Sequence, residues 1–173
     1  MSFRTCRFPR LRTLIAAALA GVFTISAKAE GAVLQNWFDD PFLQVSSDMP
    51  GCPQPRGPYM TEAERTSEAH SRIERGTSCW LAGACAEPNS YRYDASIAQA
   101  VGRQADKEVF NGSSIWLTVQ RRFIRAEGCV TDRRQAQAIE RWLGGIADVE
   151  RVIVEVMQGT RDRPPYRTME APK

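Results

Sequence analysis

The run Ile115-Trp116-Leu117-Thr118-Val119, then Gln120-Arg121-Arg122, then Phe123-Ile124-Arg125-Ala126-Glu127-Gly128-Cys129-Val130 carries two strands and the turn between them. Alternation and β-branched residues predict the first strand over 115–119. In the second, Ile124, Ala126, Gly128 and Val130 share one face, and Phe123, Arg125, Glu127 and Cys129 share the other. Working outward, Asp94 caps a helix whose stripe is Ile97, Val101, Ala105 and Val109, ended by Asn111-Gly112. Downstream, Thr131 or Asp132 starts a helix that buries Ala136, Ile139, Leu143 and Ile146 and breaks at Gly144-Gly145. A last strand runs from about Arg151 to Met157, with Val152, Val154 and Val156 inward. The expected class is α+β, ordered α-β-β-α-β, with a three-stranded mixed sheet and two helices on one face.

Charge separates the N-terminal residues from the rest. The chain has 173 residues, with 23 Lys+Arg against 20 Asp+Glu for a formal +3. Arg4, Arg7, Arg10, Arg12 and Lys28 precede residue 30 with no acid among them, so a chain starting at Glu30 has 18 bases, 20 acids and a net charge of −2. Those bases flank an apolar run from Leu14 to Ile25 that ends in Ala27-Lys28-Ala29. This three-part pattern is that of a secretory signal peptide over residues 1–29, cleaved after Ala29, and it implies a periplasmic protein. The apolar run is about twelve residues, short of the roughly 20 that span a bilayer, so no transmembrane segment is expected after cleavage. Cys6 lies ahead of the apolar run, where it does not serve lipid attachment. An acidic mature chain lacks the bases that a nucleic-acid binder needs to displace counterions.

Cys52, Cys79, Cys85 and Cys129 remain, an even set suited to an oxidising compartment. Of three possible pairings, the short gap around Gly83 favours Cys79 with Cys85, and so Cys52 with Cys129. Thiol-exchange chemistry wants Cys-x-x-Cys and a zinc site wants ligand spacing that the lone His70 does not supply, so no metal is expected. Residues 30–90 hold four bases and nine acids against fourteen and eleven in 91–173, a boundary that places a Cys-containing extension before the α/β segment of 91–158. Within the extension, Pro50 to Pro58 is a loop, and Thr61 with Glu64 forms a capping box for a polar helix to about Arg75 that has only Ala63, Ala69 and Ile73 to bury. His70 faces solvent, Asp39-Asp40 reads as a hydrophilic linker, and residues 159–173 read as a disordered tail.

Residues Tyr93 to Met157 resemble the BON domain, the module named for bacterial osmotic-stress and nodulation proteins. The resemblance rests on Asp94-x-x-Ile97, the Ile-x-Leu-x-Val strand at 115–119, Ile124-x-Ala126-x-Gly128-x-Val130, the Ala136 helix, and Val149-x-x-Val152-x-Val154-x-Val156. Asp148-Val149 replaces the family's usual Gly-Val, and residues 30–90 hold no second copy. The resemblance implies an exported cell-envelope protein that contacts phospholipid or another envelope component without catalysis and without a cofactor.

The residues themselves offer two binding surfaces. Arg121 and Arg122 at a hairpin tip, Arg125, and Arg133 and Arg134 at a helix start form a basic set suited to lipid phosphate at about 1 kcal/mol per base; the same residues equally suit ion pairs with Glu127, Asp132 and Glu140. The other surface is the outer sheet face, where Trp116, Phe123, Cys129, Ile153 and Met157 should not stay bare. Residues 30–90 are expected to cross it, with Trp37, Phe38, Phe42 or Trp80 as cover and a disulfide to Cys129 as a clip; a bare face would instead bind a partner protein or a lipid chain. One histidine, no phosphate loop and no Gly-x-Ser-x-Gly elbow argue against an enzyme, and an exported thiol oxidoreductase is the remaining catalytic alternative.

Overall fold

In the computed structural model, residues 33–73 and 75–169 are described, and they belong to one compact unit. Residues 1–29, expected to be a signal peptide cleaved after Ala29, lie outside the described residues. Element order is β1 (Phe42–Ser47), α1 (Glu62–Arg72), α2 (Ser78–Leu81), a 3-10 turn (Ser90–Tyr93), α3 (Asp94–Gln104), α4 (Lys107–Phe110), β2 (Ser114–Gln120), β3 (Phe123–Val130), α5 (Arg133–Gly144) and β4 (Arg151–Gln158).

The α+β class stands, but the sheet has four strands, in the order β1-β2-β3-β4. β1 to β3 pair antiparallel, and β3 pairs parallel with β4 through the α5 crossover. The added strand comes from the extension. Phe42 sits opposite Thr118 and Leu43 opposite Leu117, before a register shift between Gln44 and Ser46. Six residues beside a proline-rich loop carry too little periodicity to declare a strand alone; the open edge of β2 supplies the hydrogen bonds that make them one.

The inner face follows the predicted alternation. Ile115, Leu117, Val119, Ile124, Ala126 and Val130 pack against Ile97 and Val101 of α3 and Ile139 and Leu143 of α5, all buried. Phe110 meets Trp142 edge to face at 5.4 Å. The helix expected to run on from Asp94 to Val109 stops at Gln104, because Asp106 takes extended backbone and its side chain caps α4 through the Glu108 N–H at 2.8 Å.

Asp94 does something other than cap its helix. Its buried carboxylate accepts the backbone N–H groups of Arg121 at 2.6 Å and Arg122 at 2.7 Å. Both arginines have positive φ, 52° and 71°, the two-residue hairpin geometry that usually takes Asn-Gly. The carboxylate therefore holds a turn that the sequence does not favour. Burial pushes the Asp94 carboxyl above its usual range, against the opposing pull of those two N–H donors.

Three further expectations are corrected. Asp40 is no linker residue: it is buried and ion-paired with buried Arg72 of α1, whose guanidinium lies over the Phe38 ring. The apolar residues of α1 are not what seats it, since Ala63 and Ala69 are exposed and Ile73 is 67% exposed. α1 is held instead by that pair, by Arg65 over the Trp37 ring, and by the Thr61–Glu64 capping box. Residues 159–169 are not a disordered tail, because Tyr166 is buried and donates to the Pro53 carbonyl at 2.8 Å. Arg56 N–H reaches the Arg167 carbonyl at 2.7 Å, and Met169 N–H reaches that of Gln54 at 3.0 Å. A strap without helical or strand periodicity is ordered here by backbone pairing with the proline-rich loop.

Candidate functional site

The disulfides are Cys52–Cys129 and Cys79–Cys85. Because Cys129 points from β3 to the outer face, the first bond pins the 49–58 loop there. Phe42 and Tyr59 meet edge to face at 6.1 Å, and Gly57 lies so close that a Cβ on it would come within 2.5 Å of the Phe42 ring. So the extension does cross the outer face, with Phe42 among the residues named for it. Trp80 takes no part and is 45% exposed, while Trp37 and Phe38 pack under arginines of α1. The C-terminal strap completes the cover.

That cover is incomplete. Between α1, the 56–60 loop, the strap and the outer faces of β2, β3 and β4 lies a groove of about 650 Å³. Its walls are ion pairs: Arg56 with Glu64 at 2.9 Å, Arg75 with Glu68 at 2.9 Å, Arg167 also with Glu64, and Arg125 with Glu155. Phe123 and Ile153 add apolar surface to its floor.

Two polar side chains in that floor lack partners. Glu127 on β3 is 6% exposed and Thr118 on β2 is 7% exposed, yet neither Glu127 Oε2 nor Thr118 Oγ1 has a hydrogen-bond partner among the described residues. Arg56 Nε, at the rim, is likewise unpartnered. Strand register explains the grouping. Thr118 lies opposite Arg125, and Glu127 is opposite Glu155 in the parallel pair, so all four share the outer face. Burial pushes the Glu127 carboxyl up to about 7; Arg125 and Arg56 pull it down, and Glu155 pushes it further up. The same seclusion, with Glu127 beside it, lifts the Tyr166 phenol to about 12. At the wall, the Thr61 N–H and Arg56 draw the Glu64 carboxyl down to about 2. A buried carboxyl poised near neutrality holds or releases a proton with little driving force, and an ionised one beside Thr118 is an acceptor that no described residue fills.

The expected basic set is not assembled. Arg121 is half-buried at the β2–β3 turn, and Arg122 is 6% exposed, with Nε on the Asp148 carbonyl at 2.7 Å, Nη1 on Glu150 at 3.0 Å and a contact to Cys79 Sγ. Arg125 pairs with Glu155 on the groove wall, not with Glu127. Arg133 and Arg134 are exposed at the start of α5, beyond the far end of β3. Eight strand residues at about 3.3 Å each put roughly 25 Å between the turn and α5. Asp132 caps α5, accepting from Gln135 N–H at 2.9 Å, instead of pairing with an arginine.

Sequence reasoning put Glu127 on the correct face but treated it as one acid of a solvated surface. Arg56, Thr118, Glu155 and Tyr166 gave no signal, because the side chains that enclose them come from distant segments. His70 is exposed, as expected. Among the described residues, no cluster of three His, Cys, Asp or Glu suits a metal ion, and no helix is long and apolar enough to cross a membrane. No protein-family model, curated protein or solved structure matches this chain.

Proposed function

We propose that this chain is an exported, non-catalytic binding module of the bacterial cell envelope, BON-like in its α-β-β-α-β portion, whose ligand site is the groove on the outer sheet face. The observation that carries the reading is Glu127 with Thr118: two buried polar groups without partners in the floor of a concave site. Buried polar groups are paired in the great majority of cases, and each orphan costs about 1–3 kcal/mol. A fold that keeps two together in a groove of ligand size is best accounted for by a ligand that satisfies them. The strap and the Cys52–Cys129 clip then serve to shape the groove, consistent with an oxidising compartment.

A second reading, contact with a phospholipid surface, is favoured at the other end of the sheet by Arg133 and Arg134. Both are exposed, make no ion pair among the described residues, and sit at a helix N-terminus, where cations are disfavoured by about 0.3–1 kcal/mol. Amide chemical-shift mapping of the chain from residue 30 separates the two. It is titrated with the small-molecule fraction of a bacterial envelope extract and with anionic phospholipid vesicles. The groove reading expects shifts clustered at Thr118, Arg125, Glu127 and Glu155; it fails if shifts gather only at Arg133 and Arg134 or if none appear.

A further inference from the structure

The groove has a charge pattern that selects among ligands. Its lining holds Arg56, Arg75, Arg125 and Arg167 against Glu64, Glu68, Glu127 and Glu155, so its formal charges balance. They do not balance locally. Every one of these arginines has a carboxylate partner, and every glutamate except Glu127 has an arginine partner. The unmet negative charge is a single buried carboxylate in the floor, and because Glu64 serves both Arg56 and Arg167 one guanidinium charge at the rim is unmet as well; the unmet donors are Arg56 Nε–H and the Thr118 hydroxyl. A simple anion meets the half-paired Arg56 and Arg167 but is repelled by Glu127. A polycation satisfies Glu127 but brings its other charges against four guanidinium groups. A small molecule with one ammonium and one oxyanion meets both demands, and its neutrality keeps the cost of leaving water low.

We propose, building on the groove as the ligand site, that it takes a small zwitterion whose ammonium sits against the Glu127 carboxylate beside the Thr118 hydroxyl and whose carboxylate or phosphate lies toward Arg56. Charged groups facing Glu127 are Arg125 on its own strand, Glu155 on β4 and Arg56 on the 56–60 loop, with the Tyr166 phenol on the strap. Of these, Glu155 is paired with Arg125, and Arg56 shares Glu64 with Arg167, so the ligand's ammonium becomes the direct counter-ion of Glu127 while its oxyanion completes the pairing of Arg56. Binding then requires ionised Glu127 and expels its proton when the carboxyl is protonated beforehand.

The test is isothermal titration calorimetry of the disulfide-intact chain with glycerophosphoethanolamine, whose phosphodiester carries a single negative charge, and with alanyl-alanine, which share the ammonium–oxyanion pair but differ in the anion. Ethanolamine and inorganic phosphate serve as single-charge controls. The expected result is binding of at least one zwitterion, at least tenfold tighter than either control. Affinity should fall up to tenfold for each pH unit below 7, with proton release at pH 7 seen as a dependence of the heat on buffer ionisation enthalpy. Glu127→Gln should lose at least tenfold and all of the pH dependence, while Arg133→Ala should bind like the parent. Thermal melts of each variant establish that it is folded. The phosphate and carboxylate ligands tell which oxyanion Arg56 accepts. Equal binding by Glu127→Gln, or a control that binds as tightly as the zwitterions with groove amides shifting, overturns the zwitterion assignment and leaves the groove in place. Silence of the groove amides toward all four probes and toward the envelope fraction overturns both.

Discussion

Replacing Glu127 with Gln should stabilise the protein at alkaline pH. The reason is linkage: the carboxyl ionises at about 7 in the fold, against an ordinary value of 4.5. Below pH 4.5 the group is protonated in both states and has no differential effect. Between 4.5 and 7 the unfolded chain has lost its proton while the folded one keeps it, so folding stability falls as pH rises, by about 1.4 kcal/mol per unit. Above 7 the loss is complete at about 3 kcal/mol, a sizeable part of the usual 5–15 kcal/mol total. Gln is nearly the same size and carries no charge to desolvate. Urea unfolding of both proteins at intervals from pH 4.5 to 8.5 measures the difference directly. The low-lying Glu64 carboxyl works in the opposite sense and at lower pH, its contribution being lost as pH falls from about 4.5 toward 2; it is common to both proteins and cancels. The two curves should meet near pH 4.5 and diverge to about 3 kcal/mol by pH 8, with the variant more stable. Parallel curves would refute the claim that Glu127 is held without a partner in the floor.

Three other changes test the frame around the groove. Cys52→Ser with Cys129→Ser removes a cross-link between residues 77 apart, worth roughly 4 kcal/mol in the chain-entropy account, while the six-residue separation of Cys79 and Cys85 gives roughly 2. Calorimetric melts should show the larger drop, on the order of 10 °C, for the first pair, and equal drops would contradict the clip. Asp94→Ala strips both acceptors from the Arg121–Arg122 turn and should cost about 2–4 kcal/mol by chemical denaturation; a change under about 0.5 kcal/mol would show that the turn holds itself. At Gly128, with φ of 138°, an added Cβ would lie 2.0 Å from the Ser114 carbonyl oxygen of the adjacent strand. Gly128→Ala should therefore lose about 3 kcal/mol or more, and a soluble variant with an unchanged melting temperature would contradict that close approach.

The inner half of the fold was legible because its signal is local. Ile115, Leu117, Val119, Ile124, Ala126 and Val130 alternate, Ile97 and Val101 or Ile139 and Leu143 recur at helical spacing, and burial of these residues followed the period. The same reasoning misjudged Arg122, because a hairpin tip reads as exposed until Asp94 draws it inward and Glu150 pairs with it. It also missed β1 and the strap, whose backbone partners lie far off in the chain: Phe42 on Thr118, and Arg56 on Arg167.

What the chain's own pattern determined was a helix-backed sheet with an outer face needing cover and a cysteine placed to fasten it, since periodicity and spacing act between near neighbours. Tertiary structure alone decided that the cover stops short and that Arg125 turns to Glu155 and Arg56 to Glu64, leaving Glu127 in the floor with no counter-ion among the described residues. Which charges pair, and which one is left without a partner, depends on distances between segments that only folding brings together.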